Sequence, residues 1–327
     1  MSNYKPILPL AIVYAILIAI GLAIPGMWQP IIFVIFYIAV GQALNIFLGL
    51  TGYVNFGYVA LLGIGAYGMA VALGYYSTAI GIAAIFLGFV LAVIFSIILS
   101  LAVGGVALRL RGAYFAIATI GVNEGLKHFI EGAKIWGGSE GIVLSGLLRR
   151  TFGAEFTNYL STFVADVILI AIAIFAGLIT LYILNNKIGY ALIALREDED
   201  AAKVMGINVT KYKMIAFVVS SIIAALIGAS AWTLKMTYVF PSDVFAINYT
   251  VEAIVIVMLG GAGTLLGPIV GGLIYGVLKY YLSVILPGFQ LLILAPLLIV
   301  IVVAFPDGIV GYIKRKLRNT AIFDYIM

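Results

Sequence analysis

The sequence predicts an all-α, polytopic membrane protein with about 8–10 transmembrane helices, some glycine-rich enough to be broken, and three observations carry that reading. Of 327 residues, 65% are apolar and 9% charged, against about 45–50% and about 25% in soluble domains. Residues 6–108 contain no Asp, Glu, Lys, Arg or His, whereas one span needs only about 20 apolar residues. Many of the 37 glycines fall inside apolar stretches rather than between them. The same composition excludes other classes. Nineteen Phe, 20 Tyr and 3 Trp are too many for a disordered chain. The absence of cysteine removes disulfides, thiolate nucleophiles and Cys-based metal sites, and one histidine argues against a histidine-rich metal centre. The net charge of +5 comes from short clusters between apolar runs, so it reports topology rather than a nucleic-acid ligand.

Taken in order, the apolar runs lie near 7–24, 30–50, 53–74, 79–105, 113–130, 160–185, 214–233, 249–262, 265–286 and 290–306. The first is longer than a signal-peptide core of about 7–15 residues and lacks a cleavage site, so it reads as a retained span. The third is crowded with glycine. The eighth is short enough to be half-spanning or broken. The whole chain, 1–327, reads as a single transmembrane domain interrupted by one polar loop at 186–213. Placing both termini, the 104–112 loop and the 186–213 loop in the cytoplasm assigns twelve of the 18 Lys and Arg residues to that side. Lys5 and the cluster from Lys314 to Arg318 anchor this orientation, which predicts a multi-pass protein of the cell membrane with both termini cytoplasmic.

Glycine forms two clusters, one from Gly49 to Gly68 and one from Gly260 to Gly276. Such clusters either let helices pack closely or permit broken helices that face a cavity. Both contain Leu-Gly-x-x-Gly, at Leu48–Gly52 and Leu259–Gly263, a hint of internal duplication.

The 186–213 loop is the one cytoplasmic segment long and polar enough to receive a protein. Its centre reads as two short helical pieces. Glu197 to Asp200 precede Ala201 and Ala202, which places acid at a helix N-terminus, and Gly206 ends that helix. The apolar set Ile188, Tyr190, Leu192, Ile193, Leu195, Val204 and Met205 expects a groove on a partner. Asp200-Ala201-Ala202-Lys203-Val204-Met205-Gly206 resembles the acidic-Ala-Ala-x-x-x-Gly coupling loop of ABC importer permeases, with Asp where Glu is commoner. The flanking residues Arg196 to Glu199 and Ile207 to Phe217 are similar to permeases for branched-chain amino acids. So are Leu110-Arg111-Gly112-Ala113-Tyr114-Phe115-Ala116-Ile117, Gly137-Gly138-Ser139-Glu140-Gly141-Ile142, and Gly260-Gly261-Ala262-Gly263 with Gly267-Pro268. Of the two permease types that pair in such transporters, the chain resembles the one called M.

The resemblance implies an importer subunit that forms half of the pathway. Its partners are a second permease, which is a copy or a paralogue, two cytoplasmic ATPases and an extracytoplasmic substrate-binding protein. It implies that Arg196, Glu197, Asp200, Ala201, Ala202 and Gly206 couple to the ATPase. ATP and Mg are then used by the ATPases and no cofactor is bound by this chain, in keeping with its lack of a G-x-x-x-x-G-K-[ST] loop. Within this class the solute is a branched-chain or other apolar amino acid, or alternatively urea, a short amide or another small polar solute. An independent secondary carrier would leave the polar loop without a role.

Glu124, Lys127, His128, Glu131 and Lys134 recur three and four residues apart, so a helix presents them along one face near the outer end of the fifth run. That face either receives a zwitterion or holds interfacial ion pairs. Glu252 interrupts an apolar run and must face protein, water or a cavity; it either meets a substrate ammonium or satisfies backbone donors in a broken helix. Asn45, Thr51 and Asn55, around the first glycine cluster, either line the pathway or bond helices together.

Overall fold

The computed structural model describes residues 7–133, 135–289 and 307–316, together with 292 and 296. The helices are α1 (Ile7–Ala23), α2 (Trp28–Thr51), α3 (Tyr58–Ile80), α4 (Ala83–Ala107), α5 (Ala113–Gly132), α6 (Ser145–Phe152) and α7 (Ala154–Leu184). They continue as α8 (Lys187–Glu197), α9 (Glu199–Val204), α10 (Val209–Leu234), α11 (Pro241–Val244), α12 (Asn248–Gly260), α13 (Gly267–Ile285) and α14 (Gly308–Lys316). A two-residue antiparallel ribbon, β1 (Ile142–Val143) with β2 (Tyr238–Val239), pairs Ile142 with Val239 and Val143 with Tyr238.

Among the described residues, seven helical stretches are long and apolar enough to cross a membrane: α2, α3, α4, α7, α10, Pro241–Gly260 and α13. α1 is a shorter apolar helix of 17 residues. The protein is thus all-α and polytopic. The fifth run forms a helix of 20 residues, but Glu124, Lys127, His128 and Glu131 load its second half with charge and it is not among the seven. The glycine-crowded third run is an unbroken helix of 23 residues. The eighth run, 249–262, is a short but continuous helix, α12; the break lies before it, at 245–247, where α11 ends. Apart from 292 and 296, the tenth run at 290–306 lies outside the described residues, as do Lys5, Lys134, Arg318 and both termini.

The chain packs as two compact units. The first takes the described residues up to Gly52, from Ala173 to Tyr212 and from Glu252 onward; the second takes Tyr53–Ile172 and Lys213–Val251. α7, α10 and α12 are each divided between them.

In the second unit, glycine sets the helix spacing. A Cβ on Gly65 would overlap the backbone of Ala225, one on Gly68 the backbone of Ala92, and one on Gly228 the carbonyl of Leu62. Small residues let helix backbones close to van der Waals distance in a medium that supplies no hydrophobic drive between helices. α4 shows this most plainly. Its buried residues are Ala84, Gly88, Ala92, Ser96, Ser100, Gly104 and Ala107, almost all four residues apart, while Phe86 is 76% exposed and Ile94, Ile98 and Val106 also face outward. A period of four in small side chains therefore binds α4 to its neighbours, and most of its large side chains are left on the outer surface.

In the first unit α2, α12 and α13 pack by the same means. A Cβ on Gly272 would meet the backbone of Ile38, one on Gly271 the carbonyl of Ile256, and one on Gly41 the side chain of Ile256. Tyr37, Ile256, Leu259 and Tyr275 form a buried cluster among these helices. α1 is fastened to α2 by Tyr14, whose hydroxyl donates to Gln42 Oε1 at 2.9 Å.

Candidate functional site

The segment from Lys187 to Gly206 is a pair of helices joined at Asp198. That residue is extended (φ −155°) and its Oδ1 accepts from the backbone N–H groups of Asp200 and Ala201, both at 2.9 Å. A side-chain cap of this kind stabilises a helix start by about 1 kcal/mol, and Glu199 and Asp200 add negative charge at its positive end. Lys203 in the last turn reaches Glu199 at 3.0 Å. Gly206 has φ +83°, the Ile207 N–H bonds the Ala202 carbonyl and the Gly206 N–H bonds that of Lys203. This paired closure is a Schellman motif, which requires a left-handed residue at the position of Gly206.

The pair has an inner and an outer face. Ala191, Leu192, Leu195 and Ala202 are buried, and Gly189 lies against the Ile183 carbonyl. Tyr190 and Ile193 are exposed, while Val204 and Met205 are 87% and 82% exposed. The sequence reading placed Ala202 at the surface that enters a partner. Only 4% of it is exposed, so bulk there collides with the loop itself. Ala201, Glu197 and Asp200 do face outward. Beside the exposed turn lies an open groove of about 510 Å³, walled by Lys187, Tyr190, Met205, Asn208, Lys211 and Tyr212 among others.

Arg196 points inward, toward the two glycine motifs. Its Nη1 donates to the carbonyl of Gly49 at 2.7 Å and to that of Ala262 at 3.3 Å. Asn45 completes the junction: Oδ1 accepts from the Gly263 N–H at 2.8 Å and Nδ2 donates to the Thr264 carbonyl at 3.0 Å. The Thr264 hydroxyl bonds Gly261 and receives the Gly267 N–H, closing the turn between α12 and α13. Thr51 donates to the Phe47 carbonyl of its own helix. Asn55, in the other unit, receives the Gly57 N–H. All three of these polar residues are buried with backbone partners.

Glu252 is 5% exposed and lies 2.5 Å from Lys279 Nζ, which also donates to the Tyr37 hydroxyl at 2.7 Å. Tyr275 packs edge-on against Tyr37 with ring centroids 5.2 Å apart. The sequence reading offered Glu252 a substrate ammonium or backbone donors and named no side-chain partner; in the structure it pairs with Lys279. The available signal was that each is the sole charge inside its own apolar run. In the second unit a further pair, Asp166 with Lys235, was also missed; each follows a π-helical turn, Leu160–Val164 and Ala229–Leu234.

On α5, His128 lies 3.1 Å from Glu131 and 3.9 Å from Glu124, and is itself exposed. Lys127 is half-buried on the same helix. Asn123, missed in the sequence, is buried and donates to the Phe245 carbonyl at 3.0 Å. After α5, Trp136 takes a left-handed backbone (φ +50°) and stacks between Phe95 and Tyr67 at 5.4 and 5.8 Å, with Phe245 stacked beyond Tyr67 at 5.9 Å.

These helices, with ion pairs buried inside apolar segments and a capped amphipathic pair outside them, define a multi-pass helical membrane protein. Residues 26–302 match the family described as branched-chain amino acid transport system / permease component, and the chain belongs to that family. It is 28% identical over 308 residues to the high-affinity branched-chain amino acid transport system permease protein LivM of Salmonella typhimurium, covering 86% of this chain and 69% of that one. LivM of Escherichia coli is 27% identical over 311 residues with the same coverage. The permease protein LivH of Salmonella typhimurium is 26% identical over 200 residues, 60% of this chain and 63% of its own. No solved structure matches the chain.

Proposed function

We propose that this chain is the membrane-spanning subunit of an ATP-driven importer of branched-chain or other apolar amino acids. It forms half of a pathway with a second permease, receives solute from an extracytoplasmic binding protein and couples to separate cytoplasmic ATPases through the segment from Lys187 to Tyr212. The observation that carries the coupling role is the tip of α9. Val204 and Met205 are two of the most exposed large apolar side chains described, and they sit outside the apolar spans. Exposed apolar side chains held on a capped, rigid turn are what a groove on a partner protein takes up. The solute class follows from the names of the relatives, LivM and LivH. In this scheme the ATPases hold ATP and Mg.

The test is a paired substitution, Val204→Glu with Met205→Glu, in the chain coexpressed with its neighbouring permease and ATPase genes. The variant is expected to insert in the membrane and to lose the ATPase on purification. Retention of a full ATPase complement would remove the coupling assignment. Uptake by the intact reconstituted complex, measured across leucine, isoleucine, valine, urea and acetamide, sets the solute: transport confined to urea or the amide would overturn the amino-acid reading.

A further inference from the structure

Arg196 stands on the coupling helix α8 and is exposed, yet its guanidinium is engaged within the chain. It bonds a carbonyl at the end of α2 and another in the turn after α12. The Leu48 carbonyl of α2 is taken by the Gly52 N–H, whereas that of Gly49, in the same last turn, has no helical partner of its own. Arg196 supplies that partner, and a cation at this end also complements the helix dipole. The receptor is fitted to it. A Cβ on Gly263 would overlap the guanidinium and the Gly49 carbonyl, and a Cβ on Gly49 would overlap Asn45 and the Gly263 N–H.

The helices held at this junction are held again farther along. Lys279 on α13 joins Tyr37 of α2 to Glu252 of α12. On α12 that second tie is eight residues from Gly260, about 12 Å at 1.5 Å per residue. Between the ties the backbones touch through Gly271 and Gly272, and Gly41 admits the side chain of Ile256. A block tied at two levels and packed through glycine between them has no soft direction along which one helix can slide past another.

We propose that α2, α12 and α13 move as one rigid block with the coupling helices, and that Arg196 is the positioning residue that transmits the movement. The inference rests on the permease reading above. A docking residue would be lost with the ATPase; a transmitting residue leaves the ATPase bound and disconnects it from transport.

The chain has no cysteine, so paired spin labels can be placed in it at chosen positions once any cysteines of the partner subunits are replaced. Labels at Ile193→Cys on α8 and Met258→Cys on α12, both partly exposed, report the separation of the coupling helix from the block in the assembled transporter. The expected result is one narrow distance, the same in the resting and the vanadate-trapped complex. With Arg196→Gln the distance should broaden or shift on trapping. ATPase copurification and ATP hydrolysis should persist, while uptake falls about tenfold or more, the factor that loss of about 1.5 kcal/mol of charge-assisted bonding gives. Arg196→Lys keeps the charge but not the forked donors, and should recover part of the uptake. A label distance that changes on trapping in the unaltered chain, or normal uptake by Arg196→Gln, would overturn the proposal. So would loss of the ATPase from Arg196→Gln alone, which would make Arg196 part of docking while leaving the permease reading intact. Failure of the ATPase to associate with the unaltered chain would instead remove that reading.

Discussion

At Gly263 two demands meet: a backbone at φ +79° and a side-chain volume already taken by Arg196. Gly263→Ala should therefore cost about 1–2 kcal/mol from the left-handed backbone alone, with steric repulsion added. Thermal unfolding in detergent measures it, and a variant as stable as the parent would contradict the described junction. Glu252 and Lys279 give a sharper case. Glu252→Gln takes the carboxylate away from the part-buried Lys279 ammonium, a loss below the about 3–5 kcal/mol of a fully buried pair. Glu252→Gln combined with Lys279→Met should recover much of that loss, because the second change removes the ammonium that the carboxylate balanced. A double variant as unstable as the sum of the singles would show that the residues act independently. The pair was half legible in the sequence. That Glu252 needs a partner follows from its place in an apolar run, but the partner is 27 residues away in another helix, and spacing within one element cannot reach it.

The elements were legible where hydrophobicity marks them and obscure where it does not. Their positions follow from apolar runs, and the two helical pieces of the polar loop follow from its acidic start and Gly206. Which way α9 faces does not, since a helix of six residues has fewer than two turns on which a period can show. Ala202 inside and Val204 outside are consequently findings of the structure. α4 is the opposite limit: nearly every residue is apolar, so hydropathy is flat and the pattern lies in size. Gly88→Leu should displace α3, because its Cβ would already overlap the Met69 side chain. Phe86→Leu, on the exposed face, should stay within about 0.5 kcal/mol of the parent. Denaturation of the two variants side by side reads the difference, and equal losses would place the helix interface elsewhere.

For the whole molecule, the class of fold was fixed by composition, while the count of spans depended on charge placement along α5 and on the break before α12. Sidedness is open to direct measurement in a chain without cysteine. Val204→Cys should react with a membrane-impermeant maleimide in inverted vesicles stripped of ATPase and stay unlabelled in intact cells, as a cytoplasmic loop requires. Labelling from outside the cell would reverse the orientation drawn from the basic residues. The purified chain alone should release no phosphate from ATP, since it has no phosphate-cradling loop; vanadate-sensitive hydrolysis by a preparation free of ATPase subunits would contradict that.

The ribbon of small residues on α4 has a consequence for how such a chain diverges. On the lipid side one large apolar residue serves as well as another, so substitutions accumulate there at little cost. Along the ribbon, growth of a side chain pushes two backbones apart. Substitution is therefore expected on the outer face of α4 and resisted along the ribbon. Relatives aligned by hydrophobicity alone can slip by a whole turn in such a helix with no penalty in score, and the register is recovered only by matching Ala84, Gly88, Ala92, Ser96, Ser100 and Gly104 as a set.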